Sequence, residues 1–200
     1  MDVFKTNGGM SNMKIAQRGF TMVELVVVMI GIGILIALLA PNFGGTKDEG
    51  MALLLDKSAQ TIAGNWVKVA QLCGTTTDVN YSPVPAAGNT VADVLFNGSA
   101  SVNSSYAGCY AQAHVNLAEM AQGSTGSWKI GGYPISFSGG GTVAFCSGFT
   151  GVPDSIVLML AQRYNNALQT LAASDSTSRI VQYSVASNGT RTVSVCHQAG

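Results

Sequence analysis

"QRGFTMVELVVVMIGIGILIALLAPNF", residues 17–43, contains the longest apolar run in the chain. Between Phe20 and Leu39 the only ionisable side chain is that of Glu24, and most of the other residues are Val, Ile, Leu and Met. About twenty apolar residues are enough for a helix to cross a bilayer. The stretch therefore predicts a transmembrane helix that keeps one carboxylate near an end of its apolar run.

The residues before this run are polar and slightly basic, with Lys5, Lys14 and Arg18 among them. Because positive segments stay in the cytoplasm, we expect the chain that follows the helix to be exported. An ordinary secretory leader is cleaved after its apolar stretch at a small-residue site. Here the run ends in "LLAPNF", where "LLA" is only a weak site of that kind.

Five residues, Gly19, Phe20, Thr21, Glu24 and Pro41, occur in order on an apolar run of suitable length. With them, "RGFTMVEL" resembles the processing site of type IV prepilins. The resemblance implies that a prepilin peptidase cuts between Gly19 and Phe20 and methylates the new amine of Phe20. It also implies a transmembrane and assembly helix that ends near the Pro41 kink.

The resemblance divides the chain into four parts. Residues 1–19 would be a leader peptide that is removed, and residues 20–41 the transmembrane and assembly helix. Residues 42–50 would be a flexible Gly-rich segment, and residues 51–200 an exported globular domain. The motif itself covers only residues 18–41, so the resemblance over the rest of the chain is one of layout.

The carboxylate of Glu24 needs a partner. An isolated charge in the middle of a membrane helix costs about 2.5–3.5 kcal/mol on insertion scales, and somewhat less near an end. After cleavage the positive amine of Phe20 is the natural candidate, and the resemblance implies that it comes from a neighbouring subunit. The alternative is an interfacial glutamate that snorkels to the headgroups in a simple membrane anchor.

The resemblance implies a structural subunit of a type IV pilus, a helical filament of identical subunits. Its partners would be the prepilin peptidase and methyltransferase, the pilus assembly machinery and, before assembly, the inner membrane. Such extracellular filaments serve adhesion, motility, DNA uptake, conjugation or phage reception, and the sequence selects none of these. A minor pilin and a type II secretion pseudopilin are the alternatives. The leader and domain lengths resemble type IVb pilins, whereas Phe20 at the mature start is more typical of type IVa.

The segment after the apolar run carries several residues that disfavour a helix. Pro41 removes a backbone donor and is expected to kink or end the helix. Gly44, Gly45 and Gly50 each lower helix propensity by about 1 kcal/mol relative to Ala. Residues 42–50 are therefore either a plain linker or, as the resemblance implies, a locally unwound stretch that lets the stalk extend.

Helical periodicity returns at Met51 and predicts a helix that ends near Gly74. Its expected apolar face is Met51, Leu54, Leu55, Ala59, Ile62, Trp66, Val69 and Cys73. Shorter helices are predicted at residues 90–96 and, less clearly, at residues 109–121. We expect a further helix from Asp154 or Ser155 to about Ala173.

Alternating and glycine-broken segments predict the strands. Residues 127–149 predict two or three strands, with a turn at the glycines 139–141. At the C-terminus Asn188-Gly189 predicts a tight hairpin between residues 180–185 and 192–196. The expected fold class is α+β, and its layout resembles that of pilins: a long N-terminal helix packed on an antiparallel sheet, with an inserted helix and a C-terminal hairpin.

The four cysteines, Cys73, Cys109, Cys146 and Cys196, all follow the apolar run, and their even number predicts disulfides in an oxidising compartment. Four cysteines allow three connectivities. We favour Cys73–Cys109 and Cys146–Cys196. The second pair resembles the pilin pattern in which the C-terminal region is tied to the sheet.

Several classes of function find no support in the sequence. Removal of residues 1–19 leaves seven basic and nine acidic residues, without the basic cluster of a nucleic-acid binder. Catalytic motifs are missing, His114 and His197 are too scattered for a metal site, and no cofactor is expected. A membrane-anchored exported enzyme, with His114 or Asp154 as the residues to test, is the alternative from another class.

Overall fold

The computed structural model describes the backbone of residues 22–197, and the side chains of Val26, Val28, Met29 and residues 47–197. The chain divides into two units, one that ends at Phe43 and one that begins at Gly44. Helix α1 (Met22–Leu72) is the first element. The second unit is α+β, with one six-stranded antiparallel sheet and further helices.

The Gly-rich segment 42–50 is not a break in the helix but a part of α1, and its flexibility stays a prediction. Nor does the helix end at Pro41, although that residue lacks a backbone donor. A glycine destabilises a helix by only about 1 kcal/mol relative to Ala. Strong helix formers on both sides can therefore keep this segment helical. A kink at Pro41 stays a prediction.

The end of α1 follows the expected glycine signal. Gly74 has a left-handed φ of 62°. Its N–H donates to the Gln71 carbonyl at 3.2 Å, and the Thr75 N–H donates to the Ala70 carbonyl at 2.9 Å. These two bonds form a Schellman motif, which satisfies carbonyls that a helix end would leave unpaired.

Three short helices follow along the chain: α2 (Val91–Asn97), α3 (Ala107–Ala113) and α4 (Asp154–Tyr164). Two 3₁₀ turns, Gly98–Ser101 and Ser104–Tyr106, lie between α2 and α3. Helix α2, which the sequence predicts closely, begins with a capping box between Thr90 and Asp93.

Two predicted helices are too long. The segment 109–121 is helical only to Ala113, because His114 takes a left-handed φ of 50° that ends α3. Helix α4 ends at Tyr164 rather than near Ala173. There the Asn165 side chain accepts a bond from the Ala167 N–H at 3.2 Å, a local turn that competes with helix continuation.

The sheet contains six strands: β1 (Gln122–Ser124), β2 (Ser127–Ile130), β3 (Tyr133–Gly139), β4 (Phe145–Pro153), β5 (Val181–Tyr183) and β6 (Thr190–His197). Their order is β1-β2-β3-β4-β6-β5, and all neighbours are antiparallel. Helix α4 is inserted between β4 and β5, as expected. Strand β1 is too short and polar to be seen in the sequence.

The C-terminal hairpin is confirmed. Asn188 and Gly189 have φ values of 53° and 74°, which a type I′ turn requires at both central residues. Ser187 pairs with Thr190 across this turn, and β5 pairs with β6 from Val181↔Val195 to Tyr183↔Val193. The glycines 139–141 likewise form the turn between β3 and β4.

The core lies between α1 and the inner sheet face. Six buried apolar residues of α1 are spaced three and four apart: Ala52, Leu55, Ala59, Ile62, Trp66 and Val69. Leu54, expected on this face, is instead 43% exposed. The prediction favoured large side chains, whereas the buried face includes the small side chain of Ala52. The buried face of α1 is therefore rotated slightly around the helix axis relative to the predicted face.

Candidate functional site

The cleavage residues Gly19 and Phe20 lie outside the described residues. Glu24 and Pro41 lie in α1, where the structure describes their backbone. Processing, methylation and the Glu24 contact therefore stay predictions. No helix in the described part of the chain combines the length and the apolarity that a membrane crossing needs.

Three side chains near the start of α1 are described, and all three are apolar and exposed. Val26 is 50% exposed, Val28 53% and Met29 64%. These residues are neighbours along a helix that turns 100° per residue, so they occupy more than one side of it. The three side chains therefore expose apolar surface on more than one side of α1.

Two disulfides join distant parts of the second unit, with the pairing that we favoured. Cys73, just after α1, is bonded to Cys109 in α3, and their Cα atoms are 5.1 Å apart. Cys146 in β4 is bonded to Cys196 in β6, directly across the ladder, with Cα atoms 4.0 Å apart. The first bond ties a helix end to the loop region, and the second ties the last strand to the centre of the sheet.

The loops that these bonds close are long. The sequence separations are 36 and 50 residues. In the chain-entropy model each bond removes about 4 kcal/mol of conformational freedom from the unfolded state. The disulfides are thus expected to be a major source of stability for a domain rich in glycine.

A buried carboxylate holds the region around α2 together. Asp93 is fully buried, and its Oδ1 accepts bonds from the Gly126 N–H at 2.7 Å and the Trp128 Nε1–H at 2.8 Å. Its Oδ2 accepts bonds from the backbone N–H and the hydroxyl of Thr90, both at 2.8 Å. Burial alone would raise the pKa of Asp93, but these bonds more than offset it and the pKa is lowered.

A second buried carboxylate connects α1 to α4. Asp56 Oδ1 accepts a hydrogen bond from the Tyr164 hydroxyl at 2.5 Å. Asp56 Oδ2 forms an ion pair with Arg163 Nε at 3.3 Å. Burial, together with the bond to Asp56, raises the pKa of Tyr164 to about 12. The phenol therefore remains a proton donor over the whole ordinary pH range.

Arg191 fastens the loop after α4 to the sheet. Its guanidinium is buried and pairs with Asp154 Oδ1 at 2.8 Å. Its Nη1 donates to the carbonyl oxygens of Ala172, Ala173 and Ser184. Because one side chain satisfies three carbonyls and a carboxylate, it fixes a segment that has no regular structure of its own.

Asp154, one of two residues named for a possible enzyme, is thus engaged in an ion pair. His114, the other, ends α3 with a left-handed backbone. The structure does not bring these two residues together in any shared hydrogen bond among the described contacts. Asp154 is the ion-pair partner of Arg191, and His114 lies at the end of α3.

Sequence reasoning missed the buried groups Asp93, Asp56 and Arg191. A signal existed for Asp93 alone, since Thr90 and Asp93 have the spacing of a capping box. Tyr164, which donates to Asp56, lies 108 residues away, and Asp154, the carboxylate partner of Arg191, lies 37 residues away, so local sequence could not reveal these pairs.

The described residues contain no group of three or more His, Cys, Asp or Glu side chains suited to hold a metal ion. Their polar clusters join helices, loops and strands through satisfied hydrogen bonds. No protein-family model, curated protein or solved structure matches this chain.

Proposed function

We propose that the chain is the structural subunit of a type IV pilus. In this proposal, a prepilin peptidase removes residues 1–19, and the helix that begins at Phe20 packs against other copies to form the filament core. The observation that carries the proposal is "RGFTMVEL" at the head of an apolar run, with Glu24 as its single charge.

The exposed apolar side chains near the start of α1 support this proposal. Val26, Val28 and Met29 are each at least half exposed in the single chain. Exposed apolar surface of this kind marks contact with a membrane or with another protein. A pilin subunit would use both in turn, the bilayer before assembly and neighbouring helices afterwards.

Features of the second unit also favour a filament subunit over a simple anchor. An antiparallel sheet, an inserted helix and a C-terminal hairpin agree with the layout expected of pilins. The last strand is held to the centre of the sheet by Cys146–Cys196. A domain on the outside of a filament must resist shear and proteolysis, and disulfides that close long loops serve that need.

Replacement of Glu24 separates the filament proposal from the simple membrane anchor. We expect Glu24→Val to leave insertion and cleavage intact but to reduce the yield of sheared filaments at least tenfold. The change removes the attraction that guides the Phe20 amine of one subunit to the carboxylate of another. The measurement is an immunoblot of sheared surface material beside an immunoblot of membranes.

Glu24→Gln is the matched variant, because it keeps the size and hydrogen bonding of the side chain but not its charge. A loss of filaments with both variants supports a charge contact. In a simple anchor both changes would make insertion easier, because they remove a charge from the membrane. Wild-type filament yield from both variants would contradict the proposed role of Glu24.

A further inference from the structure

The pairing of β2 with β3 is shorter than β3 itself. It ends at Lys129↔Pro134, whereas β3 continues to Gly139 and stays paired with β4 over Ile135–Gly139. From residue 135 onward, the edge of β3 that faces away from β4 therefore has no neighbouring strand in its ladder. We refer to residues 135–138 on this side as the β3 edge.

The backbone of Phe137 faces this edge. In an antiparallel strand, successive residues direct their N–H and C=O groups to alternate sides. Tyr133 pairs with β2, and the Gly139 carbonyl accepts a bond from the Val79 N–H at 3.1 Å on the same side. Phe137 lies two residues from Gly139, so its N–H and C=O point the same way. Among the described residues, no backbone group outside the sheet bonds to them.

A groove of about 620 Å³ lies along the β3 edge. The loop before α2 and the first residues of α2, within residues 79–92, also line it, and so does Trp128. None of the lining residues is Asp, Glu, Lys or Arg; they are apolar residues, small residues, Asn, Ser and Thr. The groove is thus uncharged, and one of its sides is a strand edge with a free donor and a free acceptor.

The Trp128 ring in the groove is held in place before any ligand arrives. Its Nε1–H donates to Asp93 Oδ1 at 2.8 Å, and its ring packs on Phe96 with centroids 5.4 Å apart. Asp93 is in turn saturated by bonds from Thr90 and Gly126. A fixed ring lowers the entropy lost on binding.

We propose that this groove binds an extended, uncharged peptide segment of a partner protein, which adds to the sheet as a strand along the β3 edge. Main-chain bonds to Phe137 supply the pairing, as in other cases of strand addition. One residue beyond the β3 edge, the Val79 N–H already donates a main-chain bond of this kind to the Gly139 carbonyl. Because the lining offers no partner to a charged side chain, it favours a segment whose side chains are uncharged. The proposal does not depend on filament formation.

The test uses the full chain in detergent micelles, labelled with ¹⁵N. The probe is the capped hexapeptide Ser-Val-Thr-Val-Thr-Ser, added during two-dimensional NMR. We expect shift changes centred on the Phe137 amide and the Trp128 indole N–H. The same peptide with every amide N-methylated cannot donate backbone bonds, so its affinity should fall at least tenfold.

A matched pair of variants locates the binding. Ala87 is exposed in the groove wall, whereas Ala100 is exposed outside the groove. Ala87→Glu should weaken peptide binding at least tenfold, because it places a charge in an uncharged groove, and Ala100→Glu should leave binding unchanged. Circular dichroism of both variants checks that they fold; the N-methylated probe tests the wild type independently of them.

Three outcomes would overturn the inference. Equal affinity for the methylated and unmethylated peptides would show that backbone pairing is not used. Shift changes with the peptide that lie away from Phe137 and Trp128 would place binding elsewhere. Shift changes at these residues with maltohexaose, and none with the peptide, would assign the groove to a neutral sugar instead.

Discussion

At the scale of single residues, stability in this protein depends on buried charges that are fully paired. Asp93, Asp56 and Arg191 each join segments that are distant in sequence. A buried donor or acceptor that loses its partner costs about 1–3 kcal/mol, so each of these residues should be sensitive to replacement. None is on the exposed surface, and none was named from the sequence.

Asp93→Ala should lower the free energy of unfolding by about 3 kcal/mol or more, because it leaves buried donors of Thr90, Gly126 and Trp128 without an acceptor. Glu119→Ala, at an exposed position, is the control and should change it by less than about 0.5 kcal/mol. Urea unfolding followed by circular dichroism measures both. Equal midpoints for the two variants would show that the Asp93 cluster does not stabilise the fold.

Tyr164 should make the protein sensitive to alkali. Its pKa is raised from the usual 10 to about 12 in the folded state. Its contribution to stability is therefore complete below pH 10 and is lost as the pH rises toward 12, because the unfolded chain releases the proton first. In urea titrations at several pH values, Tyr164→Phe should lessen this fall. Tyr81→Phe, at an exposed residue, should not; an equal slope in both variants would contradict the assignment.

At the scale of elements, local chemistry decided which parts of the fold could be predicted. The Gly74 helix end, the short helix α2 and the Asn188-Gly189 turn each depend on residues close in sequence, and each occurs as expected. Helix α4 was predicted too long because Leu168 and Leu171 keep a helical spacing. These leucines pack against the core from an irregular loop, so their periodicity reflects burial rather than a helix.

The disulfide across β4 and β6 should be a main support of the sheet. The double variant Cys146→Ser, Cys196→Ser is expected to lose about 2–4 kcal/mol of unfolding free energy, since the closed loop of 50 residues is released. Guanidinium unfolding measures the loss. In a variant that keeps only the Cys146–Cys196 disulfide, a reducing agent should lower the free energy of unfolding by a similar amount. No decrease in either case would show that pairing of the two strands suffices without the bond.

At the scale of the whole molecule, the proposed function rests on a short part of the sequence. The unit that begins at Gly44 supplies a sheet, three short helices, two 3₁₀ turns and two disulfides, none of which is specific to one function. The filament proposal depends on residues 18–41, where the motif joins Gly19, Phe20 and Glu24. Assembly contacts form only between copies, so a single chain could not display them.

The most direct test of the central claim is mass spectrometry of protein sheared from the cell surface. If the chain is a processed pilin subunit, the N-terminal peptide begins at Phe20 and is heavier by one methyl group. The same peptide should be recovered from filaments seen by electron microscopy. An N-terminal peptide that still contains residues 1–19 in the assembled material, or a cut after the apolar run, would contradict the account.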